Sequence, residues 1–142
     1  CYPSAVLALK ATIHTNNRSI AADDFFTGMF ETALEDDEII ESISFSKPTK
    51  ANYVKFPNPA SRYAMVGVFV AQFGDEVRVA VTGAGEGGVF RHQEMESVLS
   101  SNFSADSLSS VNIDSDGLIS DLHASAEYRA NLIKEMTKRA VV

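Results

Sequence analysis

Tyr53–Gly88 reads YVKFPNPASRYAMVGVFVAQFGDEVRVAVTGAGEGG, and this stretch decides the fold. It holds two apolar runs, Tyr63–Phe73 and Val77–Val81, separated by Phe73-Gly74-Asp75-Glu76. Gly-Asp is a turn signal, because Gly accepts positive φ and Asp can bond its own backbone. Val77, Val79 and Val81 alternate with Arg78, Ala80 and Thr82, the period-two pattern of a strand with one buried face. Met65–Phe73 is more continuously apolar and β-branched, as a central strand is. The pattern predicts an antiparallel hairpin, with Asn52–Phe56 as a third strand, forming a floor for the second half of the chain.

Downstream of this floor, Phe90–Leu99 has helical spacing, Ser104–Val111 is short and weakly helical with Ser104 as N-cap, and Asn112–Ser120 is a loop. Ser125–Val141 is the clearest helix. Ser125 can cap it, Glu127 sits in its first turn, and Lys138 and Arg139 complement the dipole at its end. Upstream, Pro3–Leu9 fits a short helix. Ala11–Thr15 and Ser19–Ala22 fit two strands joined by Asn16-Asn17-Arg18. In Ala22–Leu34, Phe25, Phe26, Met29, Phe30 and Ala33 fall at helical spacing, interrupted by Gly28. Glu35–Glu38 reads as a solvated acidic turn and Ile39–Phe45 as a strand. Polar Ser46–Asn52 is the candidate boundary between two units.

The chain has 142 residues, enough to bury a core without staples, and a formal net charge of −7. That charge argues against nucleic acid and anionic membrane surfaces as partners. Its one cysteine, Cys1, excludes a disulfide framework and suits a reducing cytoplasm. No apolar run is long enough for a spanning helix. The opening Cys1-Tyr2-Pro3, without an initiator Met, reads as the middle of something longer, so a fragment or processed product is expected.

Two motifs stand out. Gly83-Ala84-Gly85-Glu86-Gly87-Gly88 matches G-x-G-x-x-G, in which glycines let a backbone approach a pyrophosphate at a helix N-terminus. The alternating strand before it and the meander around it favour a plain glycine-rich strand-to-helix turn. Asn112, Asp114, Asp116, Gly117 and Ile119 fall at calcium-loop positions, but His123 stands where the motif needs a bidentate Glu. An acidic surface turn is the expectation. His14, His92 and His123 lack metal-site spacing, and no G-x-S-x-G elbow activates a serine. The residues alone give an α+β domain without a self-contained catalytic constellation.

Four stretches together carry a resemblance: FFTGMFETALEDDEIIESISF (Phe25–Phe45), YVKFPNPASRYAMVGVFV (Tyr53–Val70), VAVTGAGEGGVFRHQEME (Val79–Glu96) and SAEYRANLIKEMTKRAV (Ser125–Val141). In this order they resemble the FAD-binding medium subunit of molybdenum hydroxylases, most nearly the carbon monoxide dehydrogenase flavoprotein, with xanthine dehydrogenase in the same group. The resemblance implies an α+β architecture. Residues 1–46 would be the tail of an FAD-binding domain. Residues 47–142 would be a flavoprotein C-terminal domain, a three-stranded antiparallel sheet followed by three helices.

The resemblance also implies an oxidoreductase complex. An iron–sulfur small subunit with two 2Fe–2S centres and a molybdenum-cofactor large subunit are the implied partners, arranged as a dimer of heterotrimers in the cytoplasm. FAD would be held by the full-length medium subunit, because the family's phosphate-binding glycine loops lie upstream of Cys1. Cys1 falls where many relatives carry an Asp that contacts the flavin nucleotide. By position, Ile40 matches an apolar residue flanking the flavin. Asn58 matches a position where some relatives place a Lys near the flavin ring, and Lys55 is close enough to substitute. The isolated chain is expected to be inactive. Two other readings stay open: a non-catalytic subunit-docking module, and an independent dinucleotide-binding domain using Gly83–Gly88.

Overall fold

The computed structural model describes residues 1–141. Its centre is a four-stranded antiparallel sheet in the order β6 (Lys50–Pro57), β7 (Ala64–Phe73), β8 (Glu76–Gly85) and β9 (Gly88–Arg91); upstream of it lie β1 to β5 and two short helices. The β7–β8 hairpin is the one the sequence predicts: Phe73 pairs with Glu76, and Gly74 takes φ 61° in the turn between them.

The fourth strand is a correction. Glu86-Gly87 is a tight turn, with Gly85 paired to Gly88 at φ 97°, so the glycine stretch folds back as a strand instead of opening a helix. Helix α3 (Gln93–Ser101) therefore starts three residues later than the Phe90 its spacing suggested. Nor do three α-helices follow the sheet among the described residues. Ala105–Ser110 is a 3-10 turn capped by Ser104, whose hydroxyl accepts from the Asp106 amide. The last helix, α4 (Ala126–Ala140), is capped as expected: the Ser125 hydroxyl accepts from the Tyr128 amide, and Lys138 and Arg139 lie in the last turn.

The sheet is buried on both faces. Val66, Val68 and Val70 of β7 and Val77, Val79 and Val81 of β8 pack with Met95, Leu99, Leu108, Ile133 and Met136 from the downstream helices. Each such fully buried side chain contributes about 1.5–3 kcal/mol. The residues that alternate with these valines were expected to face solvent. Instead Ala80 and Arg78 are buried, because helix α1 (Tyr2–Ala8) lies across that face, with Val6, Leu7 and Ala8 packed in one cluster with Ala71 and Ala80. Arg78 brings a cation under this cover, and Asp23 of α2 (Ala22–Phe25) pairs with it. Asp23 also takes Arg91 at 3.2 Å, so one carboxylate ties the N-terminal segment to two strands of the sheet.

The N-terminal segment makes its own three-stranded sheet, order β2 (Ser19–Ala21), β1 (Thr12–Thr15), β5 (Ile40–Ser44). The helix predicted over Ala22–Leu34 stops after one turn. Beyond it β3 (Phe26–Gly28) and β4 (Glu31–Thr32) form a small hairpin, with Phe30 at φ 61° in its turn. Gly28 weakens helix continuation, and local apolar spacing cannot outweigh a turn that the backbone accepts.

Glu35–Glu38 is not wholly solvated. Glu38 is buried, and its carboxylate accepts from Arg18 Nε and Nη2 at 2.9 Å each, from Thr15 Oγ1 at 2.6 Å and from the Glu35 amide at 3.0 Å. The Arg18 hydrogen bonds, followed by that of Thr15, hold its carboxyl at about 2, against an ordinary value of 4.5. A depressed folded pKa stabilises above the unfolded value and is lost as protons bind the folded form. This contribution is therefore complete above about pH 4.5 and disappears as pH falls toward 2. Urea unfolding across that window is expected to show a steep acid limb that Glu38→Gln flattens; parallel limbs in the two proteins would refute the assignment.

Candidate functional site

Lys55 lies on β6 opposite Gly67 of β7. Its ammonium donates to the Arg62 carbonyl at 2.9 Å and stands 3.9 Å from Cys1 Sγ. The Tyr53 hydroxyl, two residues earlier on the same strand face, is 3.0 Å from the same sulfur. Gly67 leaves room for this arrangement, since a Cβ there would clash with the Tyr53 hydroxyl and meet Thr82 Cγ2 at 3.0 Å. Cys1, Tyr53 and Lys55 thus form one surface cluster. Tyr53 was not among the expected site residues, although the i, i+2 rule places it beside Lys55.

Asn58 organises the turn that follows. Its Oδ1 accepts from the Ala60 and Ser61 amides at 3.0 and 3.3 Å, and its carbonyl accepts from the Arg62 amide at 2.9 Å. Arg62 is held at φ 65°, with its carbonyl at hydrogen-bond distance from Lys55. Asn58 therefore shapes the turn that engages Lys55, and its Nδ2 remains as a donor.

Ile40 sits elsewhere, on β5 at the edge of the N-terminal sheet, opposite Thr15. The structure does not pair β5 with β6, so Ile40 is not brought onto the strand that carries Lys55. Its surroundings are notable for exposed apolar area: Ile39, Ile40, Ile43 and Phe45 are 65%, 43%, 38% and 51% exposed. Ile40 and Ile43 lie on β5 and Ile39 and Phe45 flank it, a concentration of exposed apolar side chains of the kind found at interaction surfaces.

The glycine motif and the aspartate loop, far apart in sequence, meet. The Gly117 carbonyl accepts from the Glu86 amide at 2.9 Å, the Ile119 amide donates to the Ala84 carbonyl at 2.8 Å, and Gly85 bridges Leu118. Between them is a cleft of about 350 Å³. The glycines stand in an antiparallel hairpin, not at a helix N-terminus, which removes the dinucleotide reading. Gly83, at φ 81°, packs instead against the Ala64 carbonyl.

Arg129, which the sequence reading passed over, holds this end of the sheet. It is buried on α4, with Nη1 donating to the carbonyls of Met65 (2.7 Å) and Gly83 (3.0 Å) and Nη2 to Asp121 Oδ2 at 2.9 Å. An arginine on the otherwise apolar stripe of α4 was the available signal. The histidines have ordinary tasks. His14 bridges Ser19 and Ser44 across its sheet at 2.9 and 2.8 Å. His92 caps α3, and burial pushes its imidazole below the ordinary value.

No family model matches the chain. Among curated proteins it is similar to the nicotine 6-hydroxylase medium subunit of Paenarthrobacter nicotinovorans, 34% identical over 155 aligned positions that cover 99% of this chain and 54% of that subunit. Among solved structures it is similar to quinoline 2-oxidoreductase from Pseudomonas putida 86, with a TM-score of 0.77, 24% identity, and coverage of 98% of this chain and 53% of that one. The chain spans about half the length of the curated relative it matches. The structural likeness supports a mixed fold of antiparallel sheets and helices. No helix among the described residues is long and apolar enough to cross a membrane.

Proposed function

We propose that the chain belongs with the FAD-binding medium subunits of the molybdenum hydroxylases, forms the C-terminal part of such a subunit and helps to hold its flavin; the similarity to the nicotine 6-hydroxylase medium subunit supports this reading. Residues 1–46 are read as the tail of the FAD-binding domain and 47–142 as the C-terminal domain. The partners are an iron–sulfur small subunit and a molybdenum-cofactor large subunit, in a cytoplasmic oxidoreductase of the carbon monoxide dehydrogenase and xanthine dehydrogenase type. The chemistry that FAD supplies when bound is electron acceptance from the 2Fe–2S centres.

The observation that carries this reading is the exposed apolar group along and beside β5: Ile40 and Ile43 on the strand, with Ile39 and Phe45 flanking it. Such a surface suits one face of an aromatic ring system and excludes water from it. Lys55 directs one N–H group to the Arg62 carbonyl and one to Cys1 Sγ, which leaves a third for an anionic group. Asn58 keeps that turn in shape and offers Nδ2. A phosphate cradle does not fit Gly83–Gly88, because their hairpin has no helix behind it. FAD affinity therefore belongs to the assembled subunit, and the isolated chain is inactive.

The test is flavin fluorescence. Added to this chain alone, FAD is expected to bind weakly, on the order of millimolar. In the assembled subunit, Ile40→Asp is expected to weaken FAD retention at least about tenfold, the loss of one buried apolar contact plus a desolvated charge. Tight binding to the isolated chain, or retention unaffected by Ile40→Asp, would overturn the reading.

A further inference from the structure

Strand β5 ends the N-terminal sheet without the features that close a sheet edge. Among the described residues it pairs with β1 alone, and all five of its residues are exposed. An edge strand turns part of its backbone N–H and C=O groups outward, which invites a further strand unless lysine, proline or shortness blunts the edge. The outer strand of the central sheet, β6, carries Lys50, Lys55 and Pro57, and the opposite edge of the N-terminal sheet, β2, is 3 residues long. β5 reads IESIS and has neither lysine nor proline. Its one charge, Glu41, stands at a bulge, where the pairing steps from Ser42 opposite His14 to Ile40 opposite Thr15. The side chains are unfinished on one face only. Ile20, Ile13 and Ile43 lie in one row across β2, β1 and β5. They are 7%, 0% and 38% exposed, so the apolar layer is closed at two strands and open at the third. The polar face is complete within the sheet, since His14 bridges Ser19 of β2 and Ser44 of β5.

We propose that β5 receives a further strand, supplied by the part of the medium subunit that this chain does not contain. The length of the relative points to this occupant. The aligned region covers 54% of the nicotine 6-hydroxylase medium subunit, so nearly half of that subunit lies outside it. Residues 1–46, read as the tail of a domain, are the part of the chain that this further polypeptide would adjoin. The incoming strand bonds the outward backbone groups of β5 and sets an apolar side chain beside Ile43, which extends the Ile20–Ile13–Ile43 row by one member. Ile40, offset by the bulge, lies at the end of that pairing and stays available to a flavin ring. This junction rests on the chain's proposed place in a medium subunit, and it adds how the two parts of that subunit are held together.

Hydrogen exchange read by mass spectrometry tests it on the 142-residue chain and on the chain extended upstream to the full medium subunit, both without FAD and without other subunits. A peptide over Ile39–Phe45 is expected to exchange at least about tenfold more slowly in the full subunit, with peptides of α4 as the unchanged reference. Equal exchange in the two proteins would overturn the proposal. So would protection that appears only when the iron–sulfur or molybdenum subunit is added, which would give the edge to a partner. Protection of the 142-residue chain that grows with its concentration would give the edge to a second copy and overturn it as well. A variant adds a second readout. Ile43→Lys places on β5 the guard that β6 already carries, at a position exposed enough for the chain to fold. It is expected to weaken association of the two parts, expressed as separate polypeptides, about tenfold, whereas Ile43→Val keeps it. Undiminished association of Ile43→Lys would count against the junction, and the exchange comparison needs no variant if Ile43→Lys fails to fold. No FAD is present in either experiment, so the junction and the flavin reading stand or fall separately.

Discussion

Gly83→Ala is expected to cost the chain more than about 3 kcal/mol of stability, because two penalties combine at one position. The residue sits at φ 81°, where a side chain is strained. A Cβ there would overlap the Ala64 carbonyl oxygen and press on the Ala64 carbonyl carbon and the Met65 oxygen, both at 3.1 Å. All three atoms are backbone of the adjoining strand, so none can rotate away. Gly87→Ala, one turn along the same motif, meets nothing within 4 Å and is expected to be nearly neutral. Paired urea unfolding curves check both. Equal midpoints for the two variants would show that Gly83 has no special constraint.

Arg129→Met is expected to destabilise by about 1–3 kcal/mol for each carbonyl left without a donor. The substitution conserves much of the volume but withdraws donors from the Met65 and Gly83 carbonyls and from Asp121. Asp121 would keep its hydrogen bonds from the His123 and Ala124 amides, so the uncompensated cost falls mainly on the two carbonyls. Arg129→Lys restores the charge without the planar fork and should recover only part of the loss. Because Arg129 and Gly83 share a carbonyl contact, the double variant is expected to be less destabilised than the sum of the two, a non-additivity that a thermodynamic cycle measures directly. Full additivity would mean that the contact carries no energy.

The first three strands of the central sheet were legible because alternation and the Gly74-Asp75 turn are local signals. The helix α4 was legible for the same reason, through Ser125 and the charges at its two ends. What was hidden is non-local. Arg78 looks like an outward residue until α1 is laid over it, and Glu38 looks solvated until Arg18 and Thr15 arrive from the β1–β2 hairpin. The glycine stretch misled because the same residues that permit a helix-opening turn also permit a two-residue hairpin, and only pairing with β8 decides. Of the expected site, Lys55 has a polar neighbourhood, Asn58 is a turn former and Ile40 lies on another sheet. Their grouping as one expected site came from resemblance and not from spacing, because spacing cannot join residues on separate sheets.

Helix α1 and Asp23 also set how far the sheet can travel as a module. Cutting the gene within Ser46–Asn52, the point that looks like a seam, would wet Ala71 and Ala80 and leave Arg78 without its carboxylate. A chimaera grafting this sheet onto another subunit must therefore inherit the first helix and Asp23 as well, or supply their equivalents. The heritable unit of the fold is cut differently from the composition of its sequence.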